Sequence, residues 1–223
     1  MKIAIIGAGI SGCAAYLQLQ KHLPDHHQIT IYEAYSTVEN ASHKDWQNGT
    51  THSSSLVVGG GLGIGPNGLH VLQRLDPDLV HDMVRDGYAI SHGNMKNKHG
   101  RLLARLDTTA DAALSPESQP THVLGCSRHA AWRALRARVP DDVVVTRKIA
   151  AVVASQDSRN VIAFADGSPS VEADLVIGAD GLKSTTRRAL FPEAVEDPYP
   201  PQYECVVIPS PSSSSFTPIT AIA

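Results

Sequence analysis

The stretch from Lys2 to Glu33 constrains this chain more than any other. It begins K-I-A-I-I, an apolar run of the kind buried on both faces of a parallel sheet. Gly7, Gly9 and Gly12 follow at once in the spacing G-x-G-x-x-G. An amphipathic stretch from Ile10 to about His22 then predicts a helix, and Ile29, Ile31 and Tyr32 predict a second strand that ends in Glu33. Each part has a physical job. Gly7 allows the tight turn out of the strand, Gly9 lets a pyrophosphate approach the backbone, and Gly12 lets the helix pack closely on the strand. The helix start offers unpaired N–H groups and partial positive charge to phosphates. Glu33 lies about twenty residues past the last glycine, where a carboxylate can accept hydrogen bonds from a ribose hydroxyl. Glycines serving only the turn of a βαβ unit are the alternative; the strand before, the helix after and the acid at this distance favour a dinucleotide site.

The rest of the composition narrows the field. With 223 residues, 42% apolar and 18% charged, the chain reads as globular, with room for one large domain or two small ones. A formal net charge of −3 gives no reason to expect nucleic acid as a partner. No apolar run approaches the roughly 18 residues of a membrane span, and the short N-terminal run flows into the glycine turn rather than a signal-peptide cleavage site. Cys13, Cys126 and Cys205 are scattered without C-x-x-C spacing, as expected of buried thiols in a reducing compartment, which points to the cytoplasm. The eleven histidines are dispersed, and the one helix-like pair, His22 and His26, has Pro24 between them, so no metal site is expected.

Further along, Ala34 to Ser55 reads as a polar loop. Val57 and Val58 could end a strand, and the glycines from Gly59 to Gly65 either bring backbone close to something flat or form a flexible linker. Pro66 can open a helix over Asn67 to Leu75 that puts Leu69, Leu72 and Leu75 on one side; Asp76-Pro77 breaks it before a second helix from Leu79 to Val84. Tyr88 to His92 and Arg101 to Leu106 are expected to be strands around a turn at Asn97 to Gly100. Asp107 to Pro120 reads as a loop and Thr121 to Leu124 as a strand. Ser127 is placed to cap a helix from Arg128 to Val139, whose arginines mostly form a solvated face, with Arg128 the one able to reach inward. Short strands follow at Val143 to Val145, Ile149 to Ala154 and Val161 to Ala165, with a turn at Asp166-Gly167. The last strand, in Asp174 to Gly181, ends G-A-D-G before a helix from Lys183 to Leu190. Asp180 is either a cofactor contact at the carboxyl edge of the sheet or a turn and cap aspartate.

Four blocks in order resemble the class A FAD-dependent aromatic monooxygenases of the salicylate-hydroxylase type: G-A-G-I-S-G at Gly7 to Gly12 with Glu33, G-G-G-L-G-I-G-P-N-G-L-H-V-L-Q-R-L at Gly59 to Leu75, R-x-x-x-W-R-A-L at Arg128 to Leu135, and D-L-V-I-G-A-D-G-L-K-S-T-T-R at Asp174 to Arg187. The resemblance implies an α/β, Rossmann-like FAD-binding domain of the glutathione-reductase type with a partial, β-rich second layer. It implies that Gly7, Gly9 and Gly12 wrap the FAD pyrophosphate, that Glu33 holds the adenosine ribose, that Gly60 and Gly61 lie along the flavin-side part of the cofactor, that Arg128 contacts FAD, and that Asp180 and Gly181 meet FAD and the reduced nicotinamide cofactor. The implied reaction uses NADPH or NADH and O₂ to hydroxylate a small aromatic or polyketide-like metabolite. No residue is assigned as catalytic acid or base. The alternatives are a non-catalytic nucleotide-binding remnant, or an oxidase, reductase or halogenase on the same fold.

The chain also departs from that family. The segment between Glu33 and the glycine-rich block is long, and the later G-D-A-A-H-x-x-x-P block of family members is missing, since no Gly-Asp dipeptide occurs. The domain is therefore expected to occupy residues 1–204 in incomplete form, with 205–223 a Ser/Pro-rich low-complexity tail. On that reading the chain is truncated and marginally stable, and binds FAD weakly or not at all.

Overall fold

The computed structural model describes residues 1–23, 26–35, 60–107, 123–155 and 158–193. The expectations for the loop after Glu33, Val57-Val58, Gly59, the loop before Thr121, and the 204/205 boundary with its tail lie outside these residues. In chain order the elements are β1 (Lys2–Ile6), α1 (Ile10–His22), β2 (Gln28–Glu33), β3 (Gly61–Ile64), α2 (Pro66–Leu75), α3 (Pro77–Arg85), β4 (Tyr88–Ile90), β5 (His92–Lys96), β6 (Leu102–Asp107), β7 (Val123–Ser127) and α4 (Arg128–Arg136). A 3₁₀ turn at Asp141–Val143 then leads to β8 (Val144–Thr146), β9 (Ile149–Val153), β10 (Asn160–Phe164), β11 (Val171–Ala173), β12 (Leu175–Gly178) and α5 (Thr185–Leu190).

A parallel sheet in the order β12-β1-β2-β8 forms the middle layer. β1 is buried on both faces, which is why it reads as a continuous apolar run. Ile3 and Ile5 face a core built with Cys13 and Tyr16 of α1, Leu79 and Met83 of α3, and Leu135 of α4. Ala4 and Ile6 face Ile149, Val152, Ile162 and Phe164 of an antiparallel layer ordered β11-β10-β9. The alternation within β2 puts Ile29, Ile31 and Glu33 on the helical side of the sheet, where all three are buried. Glu33 is thus the charged member of a buried row, and its partners fix what it can do.

A third sheet, β3-β7-β4, and a separate hairpin, β5-β6, complete the described residues. The hairpin turns at Asn97 to Gly100, where Gly100 takes a left-handed φ of 81° and the Asn97 carboxamide accepts from the His99 and Arg101 N–H groups. Met95 and Leu106 lie on one face of it and are exposed.

Several expectations are corrected here. Of the two readings of the glycine-rich stretch the linker fails, because Gly61 to Ile64 form a strand paired antiparallel to β7, with Gly61 opposite Ser127. Tyr88 to Ile90 does not pair with Leu102 to Asp107; it joins β7, and the hairpin partner is the separate strand His92–Lys96. The helix opened by Ser127 ends at Arg136, not Val139. Its arginines are not mainly a solvated face. Arg138 bonds the carboxylates of Asp76 and, at 2.9 Å, Asp82, while Arg133 pairs with Asp86. This clamp ties α4 to α3, and Asp76 also caps α3 by accepting from the Asp78 N–H at 2.9 Å. The Arg138 guanidinium hydrogen-bonded to Asp76 holds that carboxyl below its usual range, against the opposing effect of burial.

Candidate dinucleotide-binding site

The carboxyl ends of β1, β2 and β12 and the amino end of α1 enclose a cleft of about 760 Å³. This is where open parallel sheets place ligands. Gly7 leaves β1 with a φ of 103°, and a Cβ there would lie 2.5 Å from the Ala179 carbonyl oxygen. Gly12 sits in the first turns of α1, where a Cβ would fall 1.9 Å from the Gly7 carbonyl oxygen. These two glycines are required by the protein's own packing.

Gly9 is different. Its φ of −73° and ψ of −172° suit any residue, and a Cβ there would meet nothing within 4 Å. Nothing inside the described protein demands a glycine at this position, yet it lines the cleft. It is also the N-cap of α1, with no side-chain cap and no acidic residue in the first turn. The first N–H groups of a 13-residue helix and the positive end of its dipole are thus left for an anion.

The expected site residues divide into two groups. Gly7, Gly9, Glu33, Arg128, Asp180 and Gly181 line the cleft together, while Gly12 packs behind it. Gly60 and Gly61 do not line it. Gly61 belongs to β3, and the Gly60 carbonyl accepts from the Arg128 N–H at 3.0 Å, which anchors the start of α4 beside the cleft. Ser127 Oγ caps that helix as expected, accepting from the Ala130 N–H at 3.0 Å.

Glu33 is 3% exposed and its two oxygens accept from backbone: Oε2 from the Ala8 N–H at 2.7 Å and Oε1 from the Tyr35 N–H at 3.1 Å. An ionised carboxylate has about four acceptor positions, so a ribose hydroxyl can still be accommodated. Asp180 is a cap as well as a cleft residue. Its Oδ1 accepts from Ser184 Oγ at 2.6 Å, and its Oδ2 from the Thr185 N–H at 2.7 Å, Thr185 Oγ1 at 2.8 Å and the Thr186 N–H at 3.2 Å. Burial pushes its carboxyl up, but these hydrogen bonds outweigh burial and hold it below the ordinary carboxylate range. A carboxyl lowered in the folded state contributes stability above its unfolded value, near pH 4, and loses it as pH falls through the lowered value. Asp180→Asn, which sets an NH₂ group against these donors, should cost about 1–2 kcal/mol at neutral pH. The gap from wild type in thermal melts should narrow as pH drops below about 4; equal stability at neutral pH would mean that the hydrogen bonds are dispensable.

The sequence reading missed Tyr32, Tyr35, Lys148, Lys183 and Arg188, all of which line the cleft. With Arg128 they give it four cations, against two carboxylates already hydrogen-bonded by the protein. A polyanion of dinucleotide size fits this balance, and the donor set and the open Gly9 position fit the pyrophosphate of FAD. None of the missed cations carries a spacing signal, because Lys148 and Arg188 are brought together only by the pairing of β2 with β8 and of β1 with β12. Among the described residues no cluster of His, Cys, Asp and Glu could hold a metal ion, and no helix is long and apolar enough to cross a membrane.

No family model matches the chain. Among curated proteins it is similar to salicylate hydroxylase of Pseudomonas putida, 24% identical over 210 residues that cover 91% of this chain and 41% of that protein. It is also similar to 6-hydroxynicotinate 3-monooxygenase of Pseudomonas fluorescens, 27% identical over 194 residues, covering 85% and 43%. Among solved structures it matches Klebsiella pneumoniae HpxO complexed with FAD and uric acid at a TM-score of 0.60 and 21% identity, covering 84% of this chain and 41% of that one. The chain thus spans about 40% of the length of the curated relatives it matches. The fold is that of this FAD-complexed structure, and the resemblance of the four sequence blocks agrees with it.

Proposed function

We propose that this chain carries the FAD-binding part of a flavin-dependent monooxygenase that hydroxylates a small aromatic or polyketide-like metabolite with NADPH or NADH and O₂, in the cytoplasm. The observation that carries the reading is Gly9. It is a glycine that neither backbone conformation nor packing requires, placed at the uncapped start of α1 on a cleft of dinucleotide size. Gly7, Gly9 and Gly12 shape the pyrophosphate cradle, Glu33 takes the ribose, and Arg128 supplies a rigid cationic fork at the cleft wall. Gly60 and Gly61 act through the start of α4, and Asp180 with Gly181 lines the cleft together with Lys183 and Arg188. When bound, the flavin supplies the redox and oxygen chemistry; the protein binds it, orients it and keeps water out. The curated relatives support this reading through the reactions their names state.

The test is a titration of the purified chain with FAD, followed by quenching of flavin fluorescence. A one-to-one complex with Kd of about 10 µM or tighter, about −7 kcal/mol, is expected. No saturable binding by a chain that melts cooperatively would overturn the reading.

A further inference from the structure

We infer that Trp132 is a positioning residue for the pyrophosphate cradle, acting through the Ala8 peptide; this rests on the FAD reading proposed above. Ala8 stands between Gly7 and Gly9 and is 1% exposed. Its peptide groups are held from three directions. The N–H donates to Glu33 Oε2 at 2.7 Å from the end of β2. The carbonyl accepts from Trp132 Nε1 at 2.9 Å, reaching across from α4, and from Cys13 Sγ at 3.4 Å in α1. The Cys13 thiol is pushed up to about 11, chiefly by burial, so it stays a neutral donor.

Trp132 is fully buried, and indole N–H can only donate, so its one polar atom is committed to this carbonyl. The hold is specific in consequence. Two adjacent peptide planes are held: Glu33 fixes the Gly7–Ala8 plane through its N–H, and Trp132 with Cys13 fixes the Ala8–Gly9 plane through its C=O. Rotating the Ala8–Gly9 peptide would re-aim the Gly9 N–H and the start of α1. Gly9 has no side chain to pack, and its carbonyl accepts from the Cys13 N–H at 3.0 Å as any helix start does. Orientation of the cradle is therefore imposed in part from α4 and β2. Pre-orienting donors in this way raises affinity for the phosphates without touching them.

Trp132→Phe keeps the ring in place and deletes the donor. It should weaken binding of FAD, and of ADP measured by calorimetry, by about threefold to tenfold, with adenosine binding, followed by ligand-observed NMR, unchanged because adenosine has no phosphate to place. A folded variant that binds FAD and ADP as wild type does overturns the inference; so does one in which adenosine weakens in parallel, which marks a general loss of structure. Should the variant not fold, wild-type protein labelled with ¹⁵N in its indoles serves instead, with Trp46→Phe to assign the two signals. The Trp132 Nε1 resonance should move on adding ADP and not on adding adenosine, and a signal that ADP leaves in place overturns the inference. A wild-type chain that binds neither FAD nor ADP overturns the underlying reading and this inference with it.

Discussion

Gly12→Ala should unfold the glycine turn. The added methyl would sit 1.9 Å from the Gly7 carbonyl oxygen, with Ala179 Cβ at 3.5 Å behind it. Neither neighbour is a flexible side chain. Gly7 is itself locked by its positive φ, and its N–H donates to the Tyr32 carbonyl at 2.7 Å, so the turn cannot move without breaking the β1–β2 edge. Relief has to come from displacing α1 off the sheet, which opens the core around Cys13 and Tyr16. The expected cost is upwards of about 3 kcal/mol, a fall in Tm of at least roughly 6 °C for a domain of this size. Circular dichroism melts decide it, and a Tm within a degree or two of wild type would mean that α1 does not pack this closely.

Gly9→Val should do the opposite. The backbone there is extended, the Cβ direction is open, and replacing glycine lowers the entropy of the unfolded chain. The loss of a tolerable helix N-cap works against this, so the net change in stability should stay within about 1 kcal/mol. FAD affinity, however, should fall by about a hundredfold, or roughly 2.7 kcal/mol, because the branched side chain occupies the space where a pyrophosphate meets the backbone. The two variants separate what one motif conflates: one glycine serves the fold and the other a ligand. Retention of wild-type FAD affinity by a folded Gly9→Val protein would place the phosphates elsewhere in the cleft.

How much of this was legible in the sequence follows from the range of the forces involved. β1, α1 and β2 were readable nearly to the residue, because a glycine turn, a helix start and a buried parallel strand each leave a local signature. The cap at Ser127 was readable for the same reason, a side chain satisfying backbone within three residues, whereas Asp76 was read only as a helix break although it caps α3 by an equally local bond. Asp180 carried two readings, and the structure shows the capping contacts while keeping the residue on the cleft. What stayed hidden depends on distance along the chain. Trp132 meets Ala8 across 124 positions. Arg138, which looked like one more solvated arginine, finds Asp76 and Asp82 only once α3 packs on α4. β5 was missed because Gly93, Asn94 and Lys96 carry little strand preference of their own; cross-strand pairing with β6 makes it a strand. Gly60 and Gly61 were expected along the cofactor by resemblance; in the structure they do not line the cleft, and they adjoin it through Ser127 and Arg128 at the start of α4.

The pairing of β1 with β12 also sets a timetable for biosynthesis. The Lys2 N–H donates to Asp174 across a separation of 172 residues, and the strands run side by side from there. At translation speeds of about 5–20 residues per second, β1 waits roughly 10–35 s for its neighbour. During that interval the edge carrying Ile3 and Ile5 can pair only with β2, and its other side offers bare N–H and C=O groups to any extended segment nearby. The β1 edge of the nascent chain therefore stays unpaired from the emergence of β1 until that of β12, and slower translation would lengthen that exposure rather than relieve it.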